Sequence, residues 1–589
     1  MFLSYHRRWT VGVLLLALLA AAASHASVAH AKSLGCPTRP VVGSLVGEPE
    51  SLHSAHGVLN VELRYRTSVG ADGRRHYCYV SPDGGEAPTL RVKPGDLLVL
   101  HLKNEEPAAP ASEQGHGRGQ DHGQDHERGQ GRMHAGARAD CTRGGMTALA
   151  TNLHFHGMSV PATCHQDDVL NTFVQPGDPP FEYRLQIAPN EPPGLYWYHP
   201  HIHGFTKAQV LGGASGALIV EGIERVDPSV AGLPERVFIV RDQELLNPDA
   251  APSQNDSVPQ PPVIRDSEGD ILNTGTGGGK PAKDLSINFV PVPYPDYPPA
   301  VIKLRPGERQ LWRILNASAI TYLDLQFLFD DKLQALGVVG LDGVPVTEGG
   351  APEKSIVWQS HALVPPAGRV ELIVRGPPEG QKASLVTRTI DTGPEGENDP
   401  TRPLASVVAD PNAAAAAAHL EAAPQLLPHP SAPWLGDVHP IRTRHLYFSE
   451  QPHALNGPSD FFITVEGQQP KLFDPNDPPN IVTRQGDVED WVIENRSHEL
   501  HAFHIHQLHF MLLEWNGIPL NEPYLRDTIN VAYWDGKSPD YPSVRLRMDF
   551  RGPNVIGTFL YHCHLLEHED GGMMGLIRVD PKLTVIGPQ

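Results

Sequence analysis

After residue 31 the chain lacks any apolar run of the ~20 residues that a membrane-spanning helix needs, so no membrane anchor is expected in the mature protein. Positive charge is also short. Lys and Arg number 47 against 68 Asp and Glu, a net charge of −21, which argues against nucleic acid or an anionic membrane surface as partner. Sustained helical periodicity is rare, while Pro (58) and Gly (56) are abundant. Short alternating apolar runs between turn residues take its place, and these predict an all-β chain of sandwiches or barrels. Cysteine is scarce, at five, and methionine at eight with no Met-rich run. Histidine is not scarce. It numbers 31, and its distribution is uneven.

The first 31 residues read as a secretory signal peptide. Arg7 and Arg8 form a basic start, Val11 to Ala23 an apolar stretch, and Ala29-His30-Ala31 a small-residue cleavage site. The chain is therefore expected to be exported, to a periplasm or outside the cell; the Arg pair hints at export in the folded state. In an oxidising compartment Cys36, Cys78, Cys141 and Cys164 could pair in three ways, of which the local one, Cys36–Cys78 with Cys141–Cys164, is favoured. Cys563 is left single, a liability unless something uses it.

The ~560 remaining residues suit three or four domains by length. A degenerate segment recurs: LRVKPGDLLVLHLKN (Leu90–Asn104), IKLRPGERQLWRILN (Ile302–Asn316) and IVTRQGDVEDWVIEN (Ile481–Asn495). Each has a strand start, a Gly-acid turn, an alternating strand and a closing Asn. The copies lie roughly 180 to 210 residues apart, about one all-β domain each. Three related domains follow: 32–225, 234–410 and 434–589, with a linker at 411–433 and a further connector at 225–233. Residues 111–140 form a Gly-, Gln- and charge-rich insertion with almost no apolar side chain, expected to be disordered. Its His116, His122, His126 and His134 could collect metal loosely. Asn255, Asn316 and Asn495 fit the N-x-S/T acceptor pattern.

The other histidines cluster four times: His154 and His156; His199 and His201; His501, His504 and His506; His562, His564 and His568. H-x-H in a strand sends two imidazoles to one face, as a multinuclear metal centre needs, and imidazole suits copper, iron and zinc. In His562-Cys563-His564 the thiol then faces away from both rings and serves a different metal. His501, His568 and Met573 complete a two-His, one-Cys, weak-Met set, that of a blue-copper electron-transfer site.

These four ordered motifs, H-x-H-G, H-x-H, H-x-x-H-x-H and H-C-H-x-x-x-H-x-x-x-x-M, resemble the ligand motifs of the multicopper oxidases, the family of laccases and bacterial copper-efflux oxidases. The resemblance implies three cupredoxin-like Greek-key barrels and four coppers per chain. It implies a type 1 copper on His501, Cys563 and His568 with Met573 axial, and a type 2 copper on His154 and His504. A type 3 pair would take His156, His199, His201, His506, His562 and His564. The middle domain carries no ligands and looks like a spacer. His165, His203, His498 and His509 are expected to be supporting or surface residues, and Met574 a packing residue.

The family's reaction takes single electrons from a donor and reduces O2 to water. Asp167 and Glu569 resemble acidic residues found near such clusters and are expected to relay protons. Asp527, in a recurring Asp-Thr, is expected to support a ligand. Without a Met-rich segment the donor is expected to be a phenol or aromatic amine approaching His568. A metal ion, Cu(I), Mn(II) or Fe(II), is the alternative, since HCHLLEHEDGGMM is close to the copper-efflux wording. A copper-free structural relative would be expected to have lost ligands, and here every position is filled.

Overall fold

A computed structural model describes residues 35–107, 141, 145–251, 263–266, 269–346, 356–413, 433–453, 459–520 and 522–582. The signal segment, the 111–140 insertion, most of the 411–433 linker and Asn255 lie outside the described residues.

The recurring segment has the same role three times. In each copy its second strand (Leu97–Asn104, Arg309–Asn316, Val488–Asn495) lies in one sheet between a parallel and an antiparallel neighbour. The parallel neighbours are Val58–Val69, Glu235–Gln243 and Arg442–Pro452. The antiparallel ones are Phe181–Gln186, Arg369–Arg375 and Ser543–Asp549. The first strand of each copy (Thr89–Val92, Ala300–Leu304, Ile481–Arg484) starts a second sheet instead. There it pairs in parallel with Gly216–Val220, Arg402–Ala409 and Met574–Asp580. The Gly-acid turn switches the chain between sheets. Gly95, Gly307 and Gly486 sit there at φ +90°, +70° and +102°, where a side chain is disfavoured. The following N–H closes the turn onto the residue three back, Lys93, Arg305 or Arg484.

The closing asparagines repeat just as closely. The amide of Asn104 donates to the carbonyls of Leu149 and Val174, that of Asn316 to Thr321 and Val364, and that of Asn495 to Glu499 and Val531. Each Oδ1 accepts the N–H two residues on. The sequon match at Asn316 and Asn495 is thereby corrected: both side chains are fully buried and bonded, closed to a glycan.

Among the described residues six sheets result, two per copy. Each pair encloses its own apolar core, around Leu63, Tyr79 and Leu100 in the first, Phe238, Trp312 and Leu372 in the middle, and Phe448, Trp491 and Phe503 in the last. The all-β class expected from the patterning is what forms. The 225–233 connector is built of turns: a helical turn, Ile223–Val226, precedes a 3-10 turn capped by Asp227, whose carboxylate accepts the Ser229 N–H. Cys36–Cys78 and Cys141–Cys164 are bonded, and Cys563 is free and buried. No helix of the described residues is long and apolar enough to cross a membrane.

Candidate metal centre

The second sheets of the first and last copies carry the histidines. The strand His154–His156 pairs antiparallel with Gly194–His199, setting His154 opposite His199 and His156 opposite Trp197. The strand His501–Ile505 pairs with Gly557–Cys563, setting His504 opposite His562 and Phe503 opposite Cys563. His201, His506 and His564 lie just past the ends of their strands. For His201 the reason is local: Pro200 has no N–H to continue the ladder. The alternation persists all the same, with ring centroids 6.2 Å apart for His199 and His201 and 5.4 Å for His562 and His564.

Two groups form. In the smaller, Cys563 Sγ lies 3.5 Å from His501 Nδ1 and 3.7 Å from His568 Nδ1, and those two nitrogens are 3.1 Å apart. His568 stands on the short helix Leu566–Asp570. Met573 is fully buried in the core that holds Cys563, and its N–H and C=O bond to His568 and Cys563. Met574 points into a different cluster with Val169 and Leu576, the packing place expected for it.

The larger group gathers eight histidines. His201, His506 and His562 form one triad, with centroids 5.1 to 5.3 Å apart. His156, His199 and His564 form another at 5.0 to 5.7 Å. His154 and His504 bridge the copies: His154 stacks on His506 and His156 on His504, each at 3.9 Å. Outer hydrogen bonds orient the rings. Nδ1 of His154 faces Asp167 at 3.0 Å, while Nδ1 of His199, His504 and His562 donates to the carbonyls of Pro200, Asp527 and Cys563.

The inward nitrogens are left over. Nε2 of His154, His199, His201 and His504, Nδ1 of His156 and both nitrogens of His564 are buried without a hydrogen-bond partner, and Nε2 of His506 and of His562 face each other at 3.2 Å. Each such atom costs about 1–3 kcal/mol, and so many in one place need an explanation. Burial holds the rings of His156, His199, His201, His504, His506 and His564 well below the usual imidazole range, and that of His562 at about 3. They are neutral, with lone pairs converging. That donor set fits bound metal ions.

Models of the multicopper oxidase family match residues 146–225 and 449–583, which hold both groups. These two stretches are multicopper oxidase domains. It is 24% identical to multicopper oxidase mco of Staphylococcus aureus over 438 residues, covering 73% of this chain and 76% of that one. It is 23% identical to a laccase of Bacillus stratosphericus, covering 72% and 80%. Among solved structures it resembles a Campylobacter jejuni multicopper oxidase described as a metallo-oxidase, with TM-score 0.61, 23% identity, and coverage of 94% and 98%. The chain has the cupredoxin-like fold of those structures. Its multicopper oxidase domains make it an oxidoreductase and imply copper as its metal.

The two expected proton carriers meet different histidines. Asp167 is fully engaged: it meets His154 Nδ1, accepts the Phe155 N–H at 2.9 Å and the Gln507 amide at 2.7 Å. Glu569 is fully buried, 3.2 Å from His562 Nδ1 and 3.6 Å from His201 Nε2, and neither oxygen makes a well-formed hydrogen bond. Burial pushes its carboxyl well above the usual range. Asp527 faces His156 Nε2 at 3.2 Å.

Four neighbours escaped the sequence analysis. Glu450 Oε1 lies 3.2 Å from His501 Nε2, and Glu499 Oε1 3.1 Å from His568 Nε2. Glu499 stands two residues before His501, in the bend ahead of that strand, a spacing open to detection. Glu450 has no such signal. Neither do Asp342 and Arg369 of the middle copy, which reach Asp527. The middle copy is therefore more than the spacer expected from its missing histidines.

Proposed function

We propose that this chain is an exported, three-domain oxidase, with domains at 32–225, 234–410 and 434–589, that couples oxidation of a small donor to reduction of O2 to water. His501, Cys563 and His568 would hold a type 1 copper with Met573 axial. His154 and His504 would hold a type 2 copper, and His156, His199, His201, His506, His562 and His564 a type 3 pair. The orphaned, convergent imidazole nitrogens carry this assignment. Four coppers, when bound, supply one-electron acceptance from the donor and four-electron reduction of O2. The peptide of Cys563 joins the two ligand groups directly.

The chain's own residues handle position and protons. Asp167 fixes the His154 ring, with Nδ1 outward and Nε2 inward, and its engaged oxygens suit orientation better than relay. Burial disfavours the charged form of Glu569 and so favours its protonated form. It stands beside both His201 and His562, so it is the proton donor for water formation.

For the donor, the carboxylates favour the metal-ion alternative over a phenol. Glu450 and Glu499 meet the outer nitrogens of His501 and His568; burial raises the Glu499 carboxyl well above the usual range, whereas Glu450, against the cost of its own burial, is held at about 2 by His501, so Glu450 is the negative group suited to a cation. His568, the expected phenol contact, is only 2% exposed and lies under Phe461 at 4.4 Å between ring centroids. Oxygen uptake by the copper-loaded protein with Cu(I), Mn(II), Fe(II) and a phenol in turn tests both statements. A metal ion should drive the faster uptake, and Glu450→Gln should slow that reaction and spare the phenol. Phenol-only uptake would return the donor to the laccase class. No uptake with any donor by a copper-loaded protein would end the oxidase assignment.

A further inference from the structure

We propose that Arg369 and Asp342, which belong to the ligand-free middle copy, are positioning residues that decide which nitrogens His156 and His504 turn toward the histidine centre. The inference rests on the metal assignment above. Arg369 is fully buried, and all five of its N–H donors are used. Nε donates to the Leu195 carbonyl of the first copy at 3.1 Å. Nη1 and Nη2 donate to the middle copy's own Ala367 and Asp342 carbonyls at 3.1 and 2.8 Å. The same two nitrogens grip the Asp527 carboxylate of the last copy at 2.8 and 2.5 Å, a bidentate pair. One guanidinium thus ties together all three copies. Asp342 grips the same loop from its other side. Its Oδ1 accepts the Arg369 N–H at 2.9 Å, and its Oδ2 faces the N–H groups of Asp527 and Thr528 at 3.3 Å.

The consequence falls on two rings. Both Asp527 side-chain oxygens take N–H donors from Arg369 and so face their surroundings as acceptors. Asp527 Oδ1 stands 3.2 Å from His156 Nε2, and the Asp527 carbonyl takes the His504 Nδ1–H at 2.8 Å. His156 therefore carries its proton on Nε2 and His504 on Nδ1. The nitrogens left bare, Nδ1 of His156 and Nε2 of His504, are the buried, partnerless ones. Room for the clamp is reserved: a Cβ at Gly157 would strike both the Arg369 guanidinium and the Asp527 carboxylate, and one at Gly194 would strike the Gly343 carbonyl. A lysine could supply the charge but not the planar fork.

The test uses the full copper-loaded chain, dialysed against graded chelator. Retained copper is counted by metal analysis, by the electron-paramagnetic-resonance signal of the histidine centre, and by the blue absorption of the Cys563 site. Arg369→Met should weaken copper retention in the histidine centre about 10- to 100-fold and leave the blue absorption in place. Arg369→Lys should recover part of that loss, which a merely structural role would not require. Should the metal-free Arg369→Met chain fail to fold, Asp342→Asn and Arg369→Lys carry the test, each with a several-fold weakening confined to the histidine centre. Unchanged retention in the variants that fold, or equal losses at both centres, overturns the positioning role alone. An unaltered chain that takes up no copper overturns the metal assignment and this inference with it.

Discussion

The middle and last copies share strand order, turn glycine and closing asparagine, yet only the last puts histidines on the strand that follows. Past Asn495 the inner strand is His501–Ile505; past Asn316 its counterpart, Leu323–Phe329, buries Leu323, Leu325 and Phe327 instead. The backbone device is common property and the chemistry is an overlay on it. The middle copy still reaches the centre, through Arg369 and Asp342 rather than through ligands. A framework with its chemistry removed can keep an orienting task.

The sharpest way to break this contrast is Cys563→Ser. It should abolish the blue colour and reduce oxygen uptake to background, while the far-ultraviolet dichroism of the β-rich chain stays the same. A variant that kept its colour would place the thiolate site elsewhere. Glu569→Gln should cost about 100-fold in oxygen uptake with the colour unchanged, and uptake at the unaltered rate would remove Glu569 from the proton route.

Stability should fall alike in the two copies. Asn316→Ala and Asn495→Ala each strip two buried carbonyls of a donor, so each should cost about 3 kcal/mol in urea denaturation of the metal-free protein. A large cost in one copy and none in the other would mean that the shared motif is not a shared support.

The last test concerns the start of the middle copy. Burial alone would raise the Glu235 carboxyl, but Arg313 and Arg91 outweigh it and hold it at about 2. A lowered carboxylate stabilises the fold above its unfolded value, near 4.5. That contribution is lost as pH falls toward 2, and amounts to about 3 kcal/mol. Glu235→Gln should flatten the acid limb of stability between those values, and an unchanged limb would assign the acid sensitivity to other groups.

Much of this was legible along the chain, because strand alternation is a local rule. His154, His156, Cys563 and the Gly-acid turns announce themselves through spacing of two and three residues, and Cys563 was separable from its neighbours on that ground alone. The same local patterning made Asn316 and Asn495 look like surface acceptors, which their burial refutes. No pattern within a few residues marks Asp342, Arg369 or Glu450. Their partners lie as far as 186 residues away in sequence, from Asp342 to Thr528.

Sequence alone determined the kind of chain this is: β-structure in three copies, two sets of donor atoms on opposite faces of one strand, and a thiol kept out of disulfides. Periodicity of two decides such matters before any folding partner is known. Only the tertiary structure decided which nitrogen each imidazole turns inward, which carboxylates stand outside His501 and His568, and that the copy without histidines holds Asp527 in place. Those outcomes depend on how separate sheets pack, and a buried charge finds its partner across space rather than along the chain.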